Sequence, residues 1–152
     1  MIRIASLLLA FSLAMPFAAT ADDTTETPAA AAAMDVQNPI GPAPAGKGQI
    51  VFYREPKFVG GGVGFKVREG ENEIVKLKNG TYFVATVEPG KHEYNMHGEV
   101  KDVLPLEIEA DETYYVKASI SMGIVAGRPN LAPSDEAGFL AALKKLKPAK
   151  AP

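Results

Sequence analysis

The sequence predicts an antiparallel β-sandwich of the immunoglobulin or transthyretin type, with seven or eight short strands and one C-terminal α-helix. Three observations lead to this fold class. Apolar and polar residues alternate with a period of two from Gln49 onward, as in strands that bury one face. Glycine, proline and asparagine separate the alternating runs, at the short spacing that is typical of sandwiches. No long helical pattern lies between the runs, which excludes a parallel α/β sheet.

Length and composition narrow the functional classes. The chain has 152 residues, which favours one domain. It has no cysteine, which excludes a disulfide scaffold, a thiolate metal site, a cysteine nucleophile and a lipid-modified N-terminal cysteine. Lysine and arginine number 16 and aspartate and glutamate 18, for a formal net charge of −2. This overall charge gives no electrostatic reason to expect binding to nucleic acid or to an anionic membrane.

The N-terminus has the pattern of a secretory signal peptide. Arg3 supplies a positive charge, residues 4–14 form an apolar run, and Ala19 and Ala21 are the small residues of a cleavage site. The run is shorter than the ~20 residues that span a bilayer. We therefore predict a signal peptide over residues 1–21, cleaved after Ala21, and a periplasmic or secreted protein with no stable membrane insertion after cleavage. The alternative is an uncleaved membrane anchor.

Residues 22–48 are rich in alanine and proline and contain little that could form a buried apolar face. This composition predicts a flexible linker, which is either a spacer that holds the domain away from a surface or a leader without a role of its own. The sandwich domain is predicted to follow over residues 49–147, and residues 148–152 to form a short tail.

Seven runs have the β-branched and aromatic content of strands. They are residues 49–54, 63–68, 73–77, 81–87, 91–96, 104–109 and 114–121. Asn79-Gly80 suits a tight turn that requires a positive φ, and Pro89-Gly90 suits a type II turn. The run at 81–87 is apolar on both faces, which predicts a central strand. Pro105 places its run near a sheet edge.

One helix is predicted at residues 134–147. Ser134 is suited to the N-cap, acidic residues follow it, and lysines end the segment before Pro148. An apolar stripe runs along one face of this helix, formed by Phe139, Leu140, Leu143 and Leu146. An isolated helix of this length is only marginally stable in water, so we expect the stripe to dock on the sheet. The alternative is a helix that binds a partner.

Several short strings in the domain carry a resemblance to a known family. They are Gln49–Arg54, Leu77–Phe83, Val87–His92, Thr113–Lys117 and Gly123–Arg128. Together they resemble the bacterial family catalogued as domain of unknown function 2846, over residues 47–147. The resemblance implies an exported β-sandwich without an assigned activity, and it brings no catalytic residues. Many family members look lipid-anchored, but this chain lacks the cysteine that such an anchor needs.

A glycine-rich stretch, residues 58–64, follows the first strand. A phosphate-binding loop would lead into a helix N-terminus, whereas this stretch leads into Phe65-Lys66-Val67, which has the pattern of a strand. We therefore interpret it as a loop or a bulge and not as a nucleotide site.

The sequence contains few side chains that could bind a metal ion or an anion, and we predict no cofactor and no metal. His92 and His97 lie five positions apart, on opposite sides of a strand, so they cannot share one ion without a turn between them. Met96 beside His97 would suit copper in an exported protein. Arg54 and Arg128 are the candidates for clamping a carboxylate or a phosphate, although an arginine beside a turn is commonly paired within the fold.

These observations predict an exported, non-enzymatic binding or interaction module. Its partner is expected to be an envelope protein or a cell-wall component and not nucleic acid. Binding is expected at an open strand edge, or on the loops near the glycine-rich stretch and the turn at 97–102. The accompanying features would be an exposed apolar patch and a strand edge that the helix leaves uncovered. The alternative function is a small metal or ligand carrier centred on His97 and Met96.

Overall fold

Two facing β-sheets build the domain, which confirms the predicted β-sandwich. The computed structural model describes residues 38–124 and 127–152, so the predicted signal peptide, with its cleavage site, and the first part of the predicted linker lie outside the described residues. The strands are β1 (Gly48–Arg54), β2 (Phe65–Glu69), β3 (Asn72–Leu77), β4 (Thr81–Val87), β5 (Gly90–His97), β6 (Lys101–Ile108), β7 (Thr113–Ser121), β8 (Arg128–Ser134) and β9 (Lys147–Pro148). One helix, α1 (Glu136–Leu143), lies between β8 and β9.

The strand order is β8-β7-β1-β4-β9 in one sheet and β3-β2-β5-β6 in the other. The four-stranded sheet is antiparallel throughout. In the five-stranded sheet β1 pairs antiparallel with β4 and parallel with β7, and β9 is parallel to β4. All seven predicted runs fall on β1 to β7. β8 was not predicted, because Pro129 and Pro133 interrupt its pattern in a way that only an edge strand tolerates.

The main core lies between the sheets. Its fully buried side chains come from both inner faces and include Ile50, Phe52, Val67, Val75, Tyr94, Met96 and Val116. The rings of Phe52 and Tyr94 meet edge to face across the interface, with centroids 5.1 Å apart. Burial of these apolar faces provides the driving force that holds the two sheets together.

A second apolar cluster covers the outer face of the five-stranded sheet. Phe139 of α1 is fully buried there, against the rings of Tyr53, Tyr82 and Tyr115. The helix therefore docks on the sheet, as its apolar stripe predicted. This cover also explains why β4 is apolar on both faces. β4 lies between β1 and β9, as the prediction of a central strand at 81–87 expected, but β9 pairs with it only at its first two residues, whereas β1 pairs with it along its whole length.

The helix is shorter than predicted. It spans Glu136–Leu143 instead of 134–147, and its N-cap is Asp135, whose carboxylate accepts the N–H of Gly138 at 2.7 Å. Ser134 instead ends β8. Beyond the helix, the chain extends and pairs with β4 as β9, so the prediction that residues 148–152 form a separate tail was wrong at Pro148.

The described end of the predicted linker, residues 38–48, is part of the domain. The side-chain amide of Asn38 donates to the Tyr115 hydroxyl at 3.1 Å, and Ile40 packs against the cluster under α1. The N–H of Gly46 donates to the Asp111 carboxylate at 2.7 Å. The predicted linker of 22–48 was therefore too long at its C-terminal end, because alanine and proline content does not reveal these few anchoring contacts.

Candidate functional site

The two open sides of the sandwich differ in how their strand edges are protected. On one side β6 and β8 face each other, and the Asp102 carboxylate accepts the N–H of Leu131 at 2.6 Å across the gap. Both strands contain proline, at Pro105, Pro129 and Pro133. Proline removes backbone donors, and edge strands use it to prevent further pairing. This side of the sandwich is therefore closed.

The other side, between β3 and β4, is open. It holds a groove of ≈ 510 Å³. The groove is lined by Glu69, Glu73, Ile74, Phe83, Val84, Ala85, Thr86, Val87, Glu88 and His92. Neither β3 nor β4 contains proline, and β4 has the composition of a strong strand former. This groove, which we call the β4 groove, is the candidate site.

The backbone of β4 presents free hydrogen-bonding groups along this groove. The carbonyl of Tyr82 accepts the N–H of Ala149 at 2.7 Å, so the polar groups of Tyr82 point to the outer edge. Because these groups alternate along a strand, those of Val84 and Thr86 point the same way, and those of Ala85 point to β1. Within the described residues, pairing on the outer edge covers only Thr81 and Tyr82. The rest of the β4 edge is unpaired.

The C-terminal segment of the chain shows how this edge accepts a strand. The N–H of Lys147 donates to the Gly80 carbonyl at 3.0 Å, and the bond from Ala149 to Tyr82 follows it along the ladder. The segment runs parallel to β4, and its pairing stops where the groove begins. The edge is thus already used for strand addition over its first residues.

His92 forms part of the wall of the β4 groove. Its Nδ1 lies 2.5 Å from a carboxylate oxygen of Glu69, and its Nε2 lies 2.8 Å from the Glu88 carbonyl oxygen. The ring stacks on Tyr94, with the two planes 7° apart. Both ring nitrogens face oxygen acceptors, and only the protonated imidazolium can donate to both. The arrangement therefore favours a charged His92.

The pKa of His92 reflects this geometry. Partial burial acts to lower it, but the hydrogen bonds to Glu69 and Glu88 and the charge of Glu69 together raise the pKa above its ordinary value of 6.5. A group whose pKa is higher in the folded chain than in the unfolded chain stabilises the fold fully below the unfolded pKa. It loses that contribution as the pH rises through the folded pKa.

We expect His92→Gln to destabilise the protein more at low pH than at high pH. The difference in unfolding free energy between the parent and the variant should fall by about 1 kcal/mol as the pH rises through the pKa of folded His92, because one charge-assisted hydrogen bond is lost. Urea unfolding on both sides of this transition measures the change. A difference that stays constant with pH would show that the imidazolium does not hold the groove wall.

The structure does not assemble the metal site that was considered for His97 and Met96. Met96 is buried in the core between the sheets, and His97 is exposed on the opposite face of β5. His92 shares its face of the strand with Met96 but is held by Glu69. Among the described residues, no group of three or more histidine and acidic side chains lies close enough to hold a metal ion. The structure therefore does not bring His97 and Met96 together in one site, because neighbouring residues on a strand point to opposite faces.

The two candidate arginines bind groups of the protein itself. Arg54 is buried, and its guanidinium donates to the carbonyls of Val63 at 2.6 Å and Gly60 at 2.7 Å. Burial lowers the pKa of Arg54 from its ordinary value, yet an arginine stays charged in proteins. Arg128 pairs with Glu99 at 2.9 Å. Arg54 thus fixes the glycine-rich stretch, which is a loop as predicted.

Three loops meet at the end of the sandwich where β1 and β7 finish. They comprise residues 55–64, 98–100, and 122–124 with 127, and we call this region the loop end. The N–H of Glu99 donates to the Gly127 carbonyl at 3.3 Å. A Cβ on Gly98 would lie only 2.5 Å from the same carbonyl oxygen, so glycine is required for this close approach. The loop end carries exposed apolar side chains, as the interaction hypothesis expected.

Sequence reasoning foresaw an open edge but missed that it belongs to β4. Apolar residues on both faces predict a strand with neighbours on both sides, and they do not show that β9 covers only the first two residues of β4. One signal was available: the run at 81–87 lacks proline, whereas the run at 104–109 contains Pro105. Such a difference separates unprotected edges from protected ones.

In the described part of the chain, no helix is both long and apolar enough to cross a bilayer.

Comparison with known proteins identifies the family of the chain but gives no function. No curated protein and no solved structure matches the chain. A family model described as "Protein of unknown function (DUF2846)" matches residues 44–129, which include β1 to β7 and leave α1 outside the match. The chain therefore belongs to the DUF2846 family, as its sequence strings predicted.

Proposed function

We propose that this protein is an exported, non-enzymatic binding module of the cell envelope, which accepts an extended segment of a partner protein as an added strand on β4. One observation carries the proposal. Beyond Tyr82 the outer edge of β4 is unpaired beside the β4 groove, and, within the described residues, neither β3 nor β4 contains proline and no side-chain hydrogen bond joins these two strands, unlike β6 and β8. An unpaired edge supplies main-chain hydrogen bonds to an extended partner.

The groove indicates the kind of segment that would fit. Alternate side chains of an added strand would point into the groove, where Ile74, Phe83 and Val87 provide an apolar wall. The partner strand should therefore carry apolar residues at every second position. An envelope protein with an exposed extended stretch meets this requirement better than a glycan of the cell wall, because strand addition needs a polypeptide backbone.

The cellular location and the absence of catalysis rest on separate arguments. The residues at Ala19 and Ala21 and the apolar run before them support export and cleavage. The side chains that are candidates for binding a ligand or a metal bind groups of the protein itself. Arg54 holds a loop, Arg128 pairs with Glu99, and His92 pairs with Glu69. These internal roles support a binding module.

Site-specific photo-cross-linking in intact cells tests the proposal. A photo-reactive amino acid is placed at Thr86, on the open edge, or at Ile74, in the facing wall of the groove. The matched control is Glu107, which is exposed on β6 at the closed side. We expect one dominant protein adduct from the two groove positions and none from the control. Equal labelling from all three positions, or no adduct from the groove, would contradict strand addition.

A pair of proline substitutions separates binding from folding. Thr86→Pro removes an N–H that faces the open edge, so stability should change by less than about 1 kcal/mol while partner capture is lost. Ala85→Pro removes an N–H that faces β1, and the free energy of unfolding should fall by at least about 2 kcal/mol. Chemical unfolding and affinity capture measure the two effects. Full capture by a folded Thr86→Pro protein would rule out the β4 edge.

A further inference from the structure

We propose that the loop end of the sandwich docks on an anionic lipid bilayer. This surface is distinct from the β4 groove, and the proposal does not depend on strand addition. Two features of the loop end carry it: apolar side chains at the tips of separate loops, and a belt of basic side chains around them.

Three apolar side chains at the loop end are almost wholly exposed. Phe58 is 102 % exposed, Ile124 89 % and Met122 79 %. Val59 and Val63, on the same loop as Phe58, are 51 % and 47 % exposed. Single exposed apolar residues are common on protein surfaces, but several large ones at one end of a domain mark an interaction site.

Basic side chains gather at the same end. The exposed ones are Lys57, Lys78, Lys101, Arg128, Lys144, Lys145 and Lys147. The carboxylates nearby are fewer: they are Glu55, which pairs with Lys117, Glu99, which pairs with Arg128, and Asp102, whose carboxylate accepts a backbone N–H of β8. Positive charge therefore predominates at the loop end.

Contacts within the domain bring lysines from three separate segments together. The backbone of Lys57 and the side chain of Asn79 exchange two hydrogen bonds, at 2.9 and 3.0 Å. The N–H of Lys147 donates to the carbonyl of Gly80 at 3.0 Å. The turn between β3 and β4 thus links the glycine-rich loop to the segment after α1, and Lys78 lies at the same turn.

Negative charge gathers at the opposite end of the sandwich. The acidic residues there, within the described part of the chain, are Glu69, Glu71, Glu88, Glu107, Glu109, Asp111, Glu112, Asp135 and Glu136, and they outnumber the basic residues Lys47, Arg68 and Lys91. The small net charge of the chain therefore conceals two ends of opposite sign. A field of this kind orients the protein toward an anionic surface with the loop end first.

The shape of the loop end favours a bilayer over a macromolecular partner. The cavity beside Arg54 measures ≈ 10 Å³, which is too small for a side chain or a base. A larger hollow of ≈ 290 Å³ that includes Gly64 and His97 is not lined by any of the exposed apolar tips. Protein partners bind through side chains seated in pockets, and single-stranded nucleic acid stacks on aromatic platforms in a basic groove. Protruding apolar tips backed by lysines instead match the boundary between acyl chains and anionic headgroups.

Vesicle co-sedimentation tests the proposal with residues 22–152, the form that the predicted cleavage would release, which contains all of the described residues. We expect binding to vesicles of phosphatidylglycerol and phosphatidylcholine in equal parts, and weaker binding to phosphatidylcholine alone. The double variant Phe58→Ser with Ile124→Ser should partition at least about tenfold less. The matched control is Val103→Ser, an exposed apolar residue on β6, which should bind as the parent does.

Charge reversal gives a second, independent test. Lys57→Glu with Lys78→Glu should reduce binding to the anionic vesicles at least about tenfold, since each basic side chain contributes near the surface. Lys91→Glu, at the acidic end, should have no such effect. Failure of the parent to bind anionic vesicles, or equal binding by the parent and the Phe58 and Ile124 double variant, would overturn the proposal. So would a photo-cross-linker at Phe58 that captures a protein and no lipid in cells.

Discussion

Replacement of Phe139 by alanine is expected to lower the free energy of unfolding by about 3–5 kcal/mol. The ring is fully buried beneath α1, with centroids 5.5 Å from Tyr53 and Tyr82 and 5.6 Å from Tyr115. The substitution removes these contacts and leaves a cavity on the outer face of the five-stranded sheet. Phe139 is the most deeply buried side chain of α1, and a helix of eight residues is not stable without such packing.

The effect of Phe139→Ala should extend beyond the helix. β9 follows α1 directly, so loosening the helix also frees the strand that covers the start of the β4 edge. The matched control is Leu140→Ala, at the next position, where the side chain is only partly buried and a smaller loss is expected. Denaturant unfolding measures both. Equal losses for the two variants would show that the ring does not anchor the helix.

Replacement of Arg54 by methionine is expected to cost about 3 kcal/mol, because two charge-assisted hydrogen bonds are lost from a buried site. The guanidinium joins the Gly60 and Val63 carbonyls to the end of β1, so the substitution also releases the glycine-rich loop. Stability is measured by denaturant unfolding and loop release by amide exchange at Gly61 and Val63. These amides already bond within the loop, to the carbonyls of Phe58 and Gly60.

Arg54→Lys is the informative control. Lysine keeps the positive charge but lacks the planar fork that reaches two carbonyls at once. We expect it to recover less than half of the lost stability. Full recovery by lysine would mean that charge alone matters at this position, and that the loop is held by other contacts.

The sequence located most strands because period-two alternation persists wherever one face of a strand is buried. It failed at β8 and β9, where proline conceals the pattern, and it did not reveal the open outer edge of β4, whose second face α1 covers. Apolar residues on both faces of a strand indicate that both faces are buried. In β4 one face is buried against the facing sheet and the other against α1. Strand order decides which edge is open, and residues far apart in the chain determine that order.

The candidate surfaces were only partly predictable for the same reason. An open edge and an exposed apolar patch were expected, but the net charge of −2 argued against an anionic membrane. The antiparallel connections place successive turns at alternate ends of the sandwich. Acidic turns such as the one at Glu71 and basic turns such as the one at Lys78 are thereby separated in space. Composition averages over both ends, so only the folded topology reveals the two charges.

Amide hydrogen exchange at Val84, Ala85 and Thr86 shows whether the outer edge of β4 is open in the free protein and covered by a partner strand. In the free protein, we expect the Val84 and Thr86 amides to exchange rapidly and the Ala85 amide, which faces β1, to be protected. In the complex isolated from cells by cross-linking at Ile74, all three should be protected. Slow exchange at Val84 and Thr86 in the free protein, or rapid exchange there in the complex, would contradict strand addition at this edge.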